Sequence, residues 1–398
     1  MANRSVQLSK QSQLLSVLVP LLVVFVASCT GDDASEGPQF MTLPDVAGAG
    51  SAEPHLASTT DGTVVMSWLE PSEPGTDLRW SRLHGNQWED PRTVASGDNW
   101  FVNWADFPSV EPISNSLWAA HWLVKRPGGT FAYDVAVSIS EDAGSTWTEA
   151  VIPHQDGTPT EHGFVSLFPW QDKIGALWLD GRNMQPSDDG HGHGGMTLRA
   201  VALDGDLARH SKTEVDGLVC DCCQTDVAIS ASGPIAVYRN RTEEEVRDIY
   251  VTRLLDGEWL PGVAVADDGW TIAGCPVNGP AVDAAMDDVA VAWFTAANGD
   301  SKVRLARSSN SGASFGAPLD IAVDRPVGRV DVALLADGSA LVSWLESASN
   351  GSGDIRVRRA THQGVLGPAL TVANTDAGRM SGFPQMVLSG NEVVFAWT

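Results

Sequence analysis

Basic residues and tyrosine are scarce in this chain. Lys and Arg number 25 against 50 Asp and Glu, a formal charge of −25 at pH 7 over 398 residues. A surface so acidic repels nucleic acid and anionic lipid, which excludes nucleic acid as a partner. It would repel an anionic sugar as well, unless a basic pocket were local. Three Tyr stand against fifteen Trp. Charged residues are only 19% and hydrophobic ones 43%, so disorder is excluded as the main state. No nucleotide, haem or flavin motif appears. No segment of useful length carries the helical period. The apolar run from Leu14 to Val26 falls short of the ~20 residues that a transmembrane helix needs. What is present in quantity is turn chemistry, with 39 Gly and 22 Pro.

The N-terminus reads as a leader. Arg4 and Lys10 precede the apolar run, and Val26-Ala27-Ser28-Cys29 follows it. That tetrapeptide resembles the lipobox of bacterial lipoproteins. The resemblance implies cleavage before Cys29, lipidation of its sulfur and attachment to a membrane. Thr30, rather than Asp, follows Cys29, a pattern that implies the outer membrane of a Gram-negative envelope. The expected division is a leader over 1–28, a lipidated tether over 29–38 and a β-repeat domain over 39–398.

A short apolar strand, often ending in an aromatic residue, recurs seven times. The copies begin at Val64, Leu117, Ile174, Ile235, Val289, Leu341 and Val393. A period near 55 residues with β-rich content predicts an all-β fold, a β-propeller of four-stranded blades. Seven blades are favoured, with six as the alternative. A d-like piece, Phe40 to Leu43, precedes the first unit. The expectation is that the last blade takes its outer strand from the N-terminus and its inner two from the C-terminus, leaving no free edge.

Two turns carry a family resemblance. Ser140-Glu141-Asp142-Ala143-Gly144-Ser145-Thr146-Trp147 matches the Asp-box, S-x-D-x-G-x-T-W. Ser308 to Phe315 is a degenerate copy. With the blade period, the chain resembles the sialidase (BNR-repeat) superfamily of propellers over roughly 40 to 398. The Asp-box is a structural turn and carries no catalytic information. The resemblance implies a glycan-directed face, arginines on a substrate carboxylate and a Tyr–Glu nucleophile pair. Two departures weaken it. The first-blade strand reads Glu53-Pro54-His55-Leu56 and lacks the family's arginine. None of Tyr133, Tyr238 and Tyr250 lies in the last third.

In a propeller the d→a and b→c loops share one face, and the unusual residues concentrate there. Asp106 and Asp180 are candidate acids, and Tyr238 with Glu243 is a candidate nucleophile pair. Arg182, Arg239, Arg241, Arg247, Arg329, Arg379 and His162 are candidates for ligand binding. Cys220, Cys222, Cys223 and Cys275 fall in successive d→a loops and can meet. They read either as disulfides in an oxidising envelope or as a copper or zinc site, with His191 and His193 as further ligands. The functional expectation is an envelope lipoprotein that binds, and in one reading hydrolyses, a glycan terminus. The alternatives are a non-catalytic binding module and a metal or redox lipoprotein.

Overall fold

The computed structural model describes residues 21–25, 38–184 and 194–398. Cys29, His191 and His193 lie outside them. Among the described residues no helix is long and apolar enough to cross a membrane.

The fold is an all-β propeller. Each repeated apolar segment becomes the second strand of a sheet, as in Val64–Pro71, Lys173–Asp180, Asp288–Thr295 and Ala340–Ser347. These strands are buried on both faces, which is why their sequences run apolar without alternation. An antiparallel inner strand precedes each one, and the third and fourth strands step outward. Among the described residues six sheets reach four strands or more. The favoured count of seven four-stranded blades is corrected to six, the alternative count. The remaining sheet, Ser109–Pro112, Trp118–Lys125 and Tyr133–Ser140, has three. Its outer position is met only by the bridge between Val137 and Val151. Pro153 and Pro159 follow closely, and a residue without an N–H cannot extend a ladder.

The closing sheet joins the two ends of the chain. Gln385–Ser389 and Glu392–Ala396 supply its inner strands, and Gln39–Leu43 its outermost. Between them lies Leu21–Phe25, hydrogen-bonded to both neighbours. That third strand falls inside the segment read from sequence as a leader.

The core sits between neighbouring sheets rather than within them. One cluster joins Trp80 of the first sheet to Trp118 of the next, their rings meeting edge-on at 4.9 Å. Others join Ile174 to Val135, Trp293 to Ile235 and Val394 to Met66. Full burial of one large aliphatic side chain contributes about 1.5–3 kcal/mol, so these seams hold the ring together. The turn after Ser140 seals one seam. Asp142 Oδ1 accepts from Thr146 N at 2.8 Å, and Ser140 Oγ accepts from Gly144 N at 2.7 Å. Gly144 has φ +81°, and a Cβ there would lie 2.5 Å from the Trp80 ring. The turn at Ser308 repeats the pattern, with Asn310 in place of the aspartate.

The inner strands surround an axial cavity of about 450 Å³. Three carboxylates lash those strands together. Asp226, Asp283 and Asp331 each accept from the amide of the next residue. Each also accepts from the following sheet, through Val282 N, Leu334 N and Met386 N respectively.

Candidate functional site

Cys220, Cys222 and Cys223 meet on the loop-rich face. Cys220 follows the long strand Arg209–Val219 and is anchored by its amide to Arg239 O at 3.0 Å. These three and Cys275 are free thiols, so the expected disulfides are not formed. The Cys220 and Cys223 sulfurs stand 3.2 Å apart, well beyond the bond length of about 2.05 Å. One sulfur from each of Cys220, Cys222 and Cys223 lies within 4.8 Å of the other two. Cys275 sits on a neighbouring loop that is held beside this group at both ends, by Ile272 N on Glu245 O at 3.0 Å and by Gly279 N on Gln224 Oε1 at 3.1 Å. Cys220 and Cys223 are buried, whereas Cys275 is exposed.

Two buried arginines frame the thiols. Arg247 donates to Cys220 Sγ at 3.4 Å and to Glu245 Oε2 at 2.7 Å. Arg239 is 2% exposed and donates only to carbonyls, those of Asn278, Arg247 and Phe294. Its guanidinium therefore has no carboxylate among its hydrogen-bond partners. Burial opposes ionisation of Cys220. Hydrogen bonds from Cys222 and Cys223, with the charges of Arg239 and Arg247, nonetheless hold its thiol well below the ordinary range. Burial pushes the Cys223 thiol up, and its sulfur neighbours push Cys222 up.

Beside this cluster stands a trio that was only half visible in the sequence. The Tyr133 hydroxyl lies 2.8 Å from Asp106 Oδ2 and 2.7 Å from Glu161 Oε1. Asp106 Oδ1 accepts from Phe164 N at 2.7 Å, and Phe101 stacks on the phenol at 4.1 Å. Gly163 makes the approach possible, since a Cβ there would lie 1.9 Å from Asp106 Oδ2. Burial raises Asp106 to about 7, against the hydrogen bonds from Phe164 and Tyr133. Burial also raises Glu161 to about 8, and the charges of Asp106, Cys275 and Asp221 add to it. Gln224, next to Cys223, donates to the carbonyl of Ala105, next to Asp106, and ties the trio to the cysteine cluster. Its loop marks Asp106 as a candidate acid from sequence, whereas nothing in the sequence pairs Tyr133 with Glu161. The available signal was Tyr133 at the start of a third strand, facing the loop that carries Asp106.

The other candidates separate. Tyr238 is buried and donates to Asp216 Oδ2 at 2.6 Å, while Glu243 is exposed on its turn, so the structure does not bring this pair together. Tyr238 lies in the seam between two sheets, and Gly262 opposite leaves room for its hydroxyl. Asp180 is fully buried in a forked pair with Arg182, at 2.7 and 2.6 Å, and accepts from Trp178 at 2.8 Å. His162 joins this network, 3.8 Å from Asp180 and 3.3 Å from Asp156, with its ring stacked on His154 at 3.8 Å. Burial disfavours the charged form of both rings. Asp156 and Asp180 overcome that for His162 and raise it, whereas His154 falls to about 4, with the His162 charge adding to its burial.

The expected anion clamp is largely engaged elsewhere. Arg241 is paired with Glu245 and Asp221. Arg329 is buried over Trp104 and donates to Ser381 Oγ, Gly382 O and Gly378 O. Arg182, Arg239 and Arg247 are committed as described. Arg379 is exposed, 5.9 Å from the Trp104 ring.

The fold defines a class, the β-propeller. No protein-family model and no curated protein matches the sequence. Solved structures do match. A Hadza microbial sialidase is 14% identical with a TM-score of 0.45, over 79% of this chain and 66% of that one. An α-L-arabinofuranosidase from Fusarium graminearum is 13% identical with a TM-score of 0.47, over 79% and 93%. The NanB sialidase of Streptococcus pneumoniae is 10% identical with a TM-score of 0.45, over 90% and 71%. These likenesses concern architecture.

Proposed function

We propose that this propeller holds a thiophilic metal ion on the cysteines of its loop-rich face. The observation that carries the reading is the convergence of three sulfurs within 4.8 Å without a disulfide. Metal–sulfur bonds of about 2.3 Å place ligand sulfurs roughly 3.8 Å apart, inside the range of spacings found here. The charge balance agrees. Arg239 is a buried cation among neutral carbonyls, and thiolates supply the counter-charge it lacks. Soft sulfur donors select Cu(I) or zinc. The lipobox-like tetrapeptide supports an envelope address, with the outer membrane as the anchoring surface.

One preparation tests both parts. The protein is purified from its native envelope under argon, and its metal content, free thiols and intact mass are measured. About one copper or zinc per chain is expected, with a mass that includes a diacylglyceryl group on Cys29. Four thiols lost as two disulfides with no metal would remove the first part. An unmodified, uncut N-terminus would remove the second.

Glycan cleavage at the same face is the second reading, and the Tyr133 trio is what favours it. Two carboxyl groups near neutrality can exchange a proton with a leaving group. Glu161 is only partly buried and could meet a substrate, whereas Tyr133 is fully enclosed.

A further inference from the structure

The cysteine cluster is not symmetric, and the asymmetry carries information. Three of the sulfurs come from one tight turn, Cys220-Asp221-Cys222-Cys223, and form the mutually close set. The fourth belongs to a different loop, between strands Val263–Ala264 and Ala281–Ala285. Cys275 is exposed, on a loop held beside the set at both ends by Ile272 N on Glu245 O at 3.0 Å and Gly279 N on Gln224 Oε1 at 3.1 Å, whereas Cys222 is half-buried beside the buried pair. The sulfurs thus form a line of falling solvent access: Cys275, then Cys222, then Cys220 and Cys223. Structural zinc almost always takes four ligands in a closed tetrahedron. A nest of three sulfurs with a fourth at the rim fits a softer, lower-coordinate ion.

Resting on the thiolate reading above, we infer that the bound metal is a cuprous cargo ion held by Cys220, Cys222 and Cys223, with Cys275 as the ligand through which it enters and leaves. The step is ligand exchange. Cys275 loses its S–H proton to solvent and forms a Cu–S bond as the donor's ligand departs. Cys222 then releases its proton to solvent and bonds the same ion, Cys220 and Cys223 release theirs as they close on it, and the Cu–Cys275 bond breaks with Cys275 taking a proton back from solvent. Copper remains Cu(I) throughout, so no oxidant or reductant is consumed. Arg247, on Cys220, steadies the anionic set. The exposed position of Cys275 lets a partner's thiolate or thioether approach without opening the buried pair.

The test uses the full-length protein, reduced and kept anaerobic, with Cu(I) buffered by bicinchoninate. Uptake is followed by sulfur-to-copper absorption, and release by transfer to excess bathocuproine disulfonate. Wild type is expected to bind one Cu(I) per chain. Cys275→Ser should keep that stoichiometry while release slows by about tenfold, and Cys222→Ser should weaken binding by about a hundredfold. Unchanged release in Cys275→Ser overturns the gate. Loss of stoichiometric binding in Cys275→Ser also overturns it, because that cysteine would then be a full fourth ligand. Preference for Zn(II) over Cu(I) in direct competition overturns the cuprous assignment alone. Uptake of neither metal by reduced wild type overturns the thiolate reading itself.

Discussion

A tyrosine hydroxyl has one proton, and two carboxyl groups compete for it at Tyr133. It cannot donate to both Asp106 and Glu161, so one carboxyl must carry a proton of its own. Asp106 already accepts from Phe164 N, which suits the anion, and the higher-lying Glu161 suits the acid. This gives the glycan reading a residue-level prediction. If the face cleaves glycosides, turnover of a chromogenic panel should fall as pH rises past about 8, where Glu161 loses its proton. Glu161→Gln should lower kcat by at least about a hundredfold. A panel with no turnover at any pH, or a Glu161→Gln variant with full activity, would sink the glycan reading. Arginine teaches a related lesson. Sequence placed seven potential ligand-binding side chains on one face, yet five of the six arginines satisfy carbonyls, carboxylates or a thiol of their own chain. A guanidinium has five donors, and the interior supplies acceptors faster than a substrate can.

The strand is the scale at which the fold was legible. All seven apolar segments picked out by their spacing became second strands, because burial on both faces writes itself as an unbroken apolar run. The Asp-box turn was legible for a similar reason, since its hydrogen bonds are local. Cross-chain relations were not legible. No spacing rule states that the segment after Trp147 makes one bridge instead of a strand, or that Leu21–Phe25 can serve as a strand at all. The cysteines fell between the two cases. Their loops were identified, but the distance between sulfurs depends on the turn at Asp221. Tyr238 was placed in the right strand and paired with the wrong acid, because the side of the sheet it faces is set by packing against Asp216. The inner strands carry a prediction. Asp226→Ala, Asp283→Ala and Asp331→Ala each leave an amide of the neighbouring sheet without its acceptor. Each should destabilise the fold by about 1–3 kcal/mol in chemical denaturation. Unchanged denaturation midpoints in all three would show that these carboxylates do not hold the ring.

At the scale of the molecule, the buried acids set how stability follows pH. Burial raises Asp226 to about 6 and Asp331 well above its ordinary range, while Asp106 and Glu161 lie near 7 and 8. A carboxyl raised by folding favours the folded state while protonated. Its contribution is complete below the unfolded value near 4 and is lost as pH rises through the folded value. Asp180 and Glu245 run the other way. Burial opposes their ionisation, but Arg182 for the one and Arg241 and Arg247 for the other hold them low, so their contribution is lost as pH falls below about 4. The overall charge of −25 reinforces the first trend. Tm should therefore peak near pH 5, falling toward pH 8 and again below pH 4. A Tm that climbs steadily from pH 5 to pH 8 in a thermal-shift series would contradict this assignment.

The closing sheet sets a race during biosynthesis. Its inner strands, Gln385–Ser389 and Glu392–Ala396, leave the ribosome after the other described strands, and the segment that pairs with Glu392–Ala396, Leu21–Phe25, leaves it before them. If the cell reads that segment as an export signal, the same five residues serve two masters. A chain that finishes folding in the cytoplasm would bury its own passport in the ring. A chain caught by the secretion machinery early would surrender it, and the ring would then close on Gln39–Leu43 directly. Export before completion and folding before export lead to two different seams.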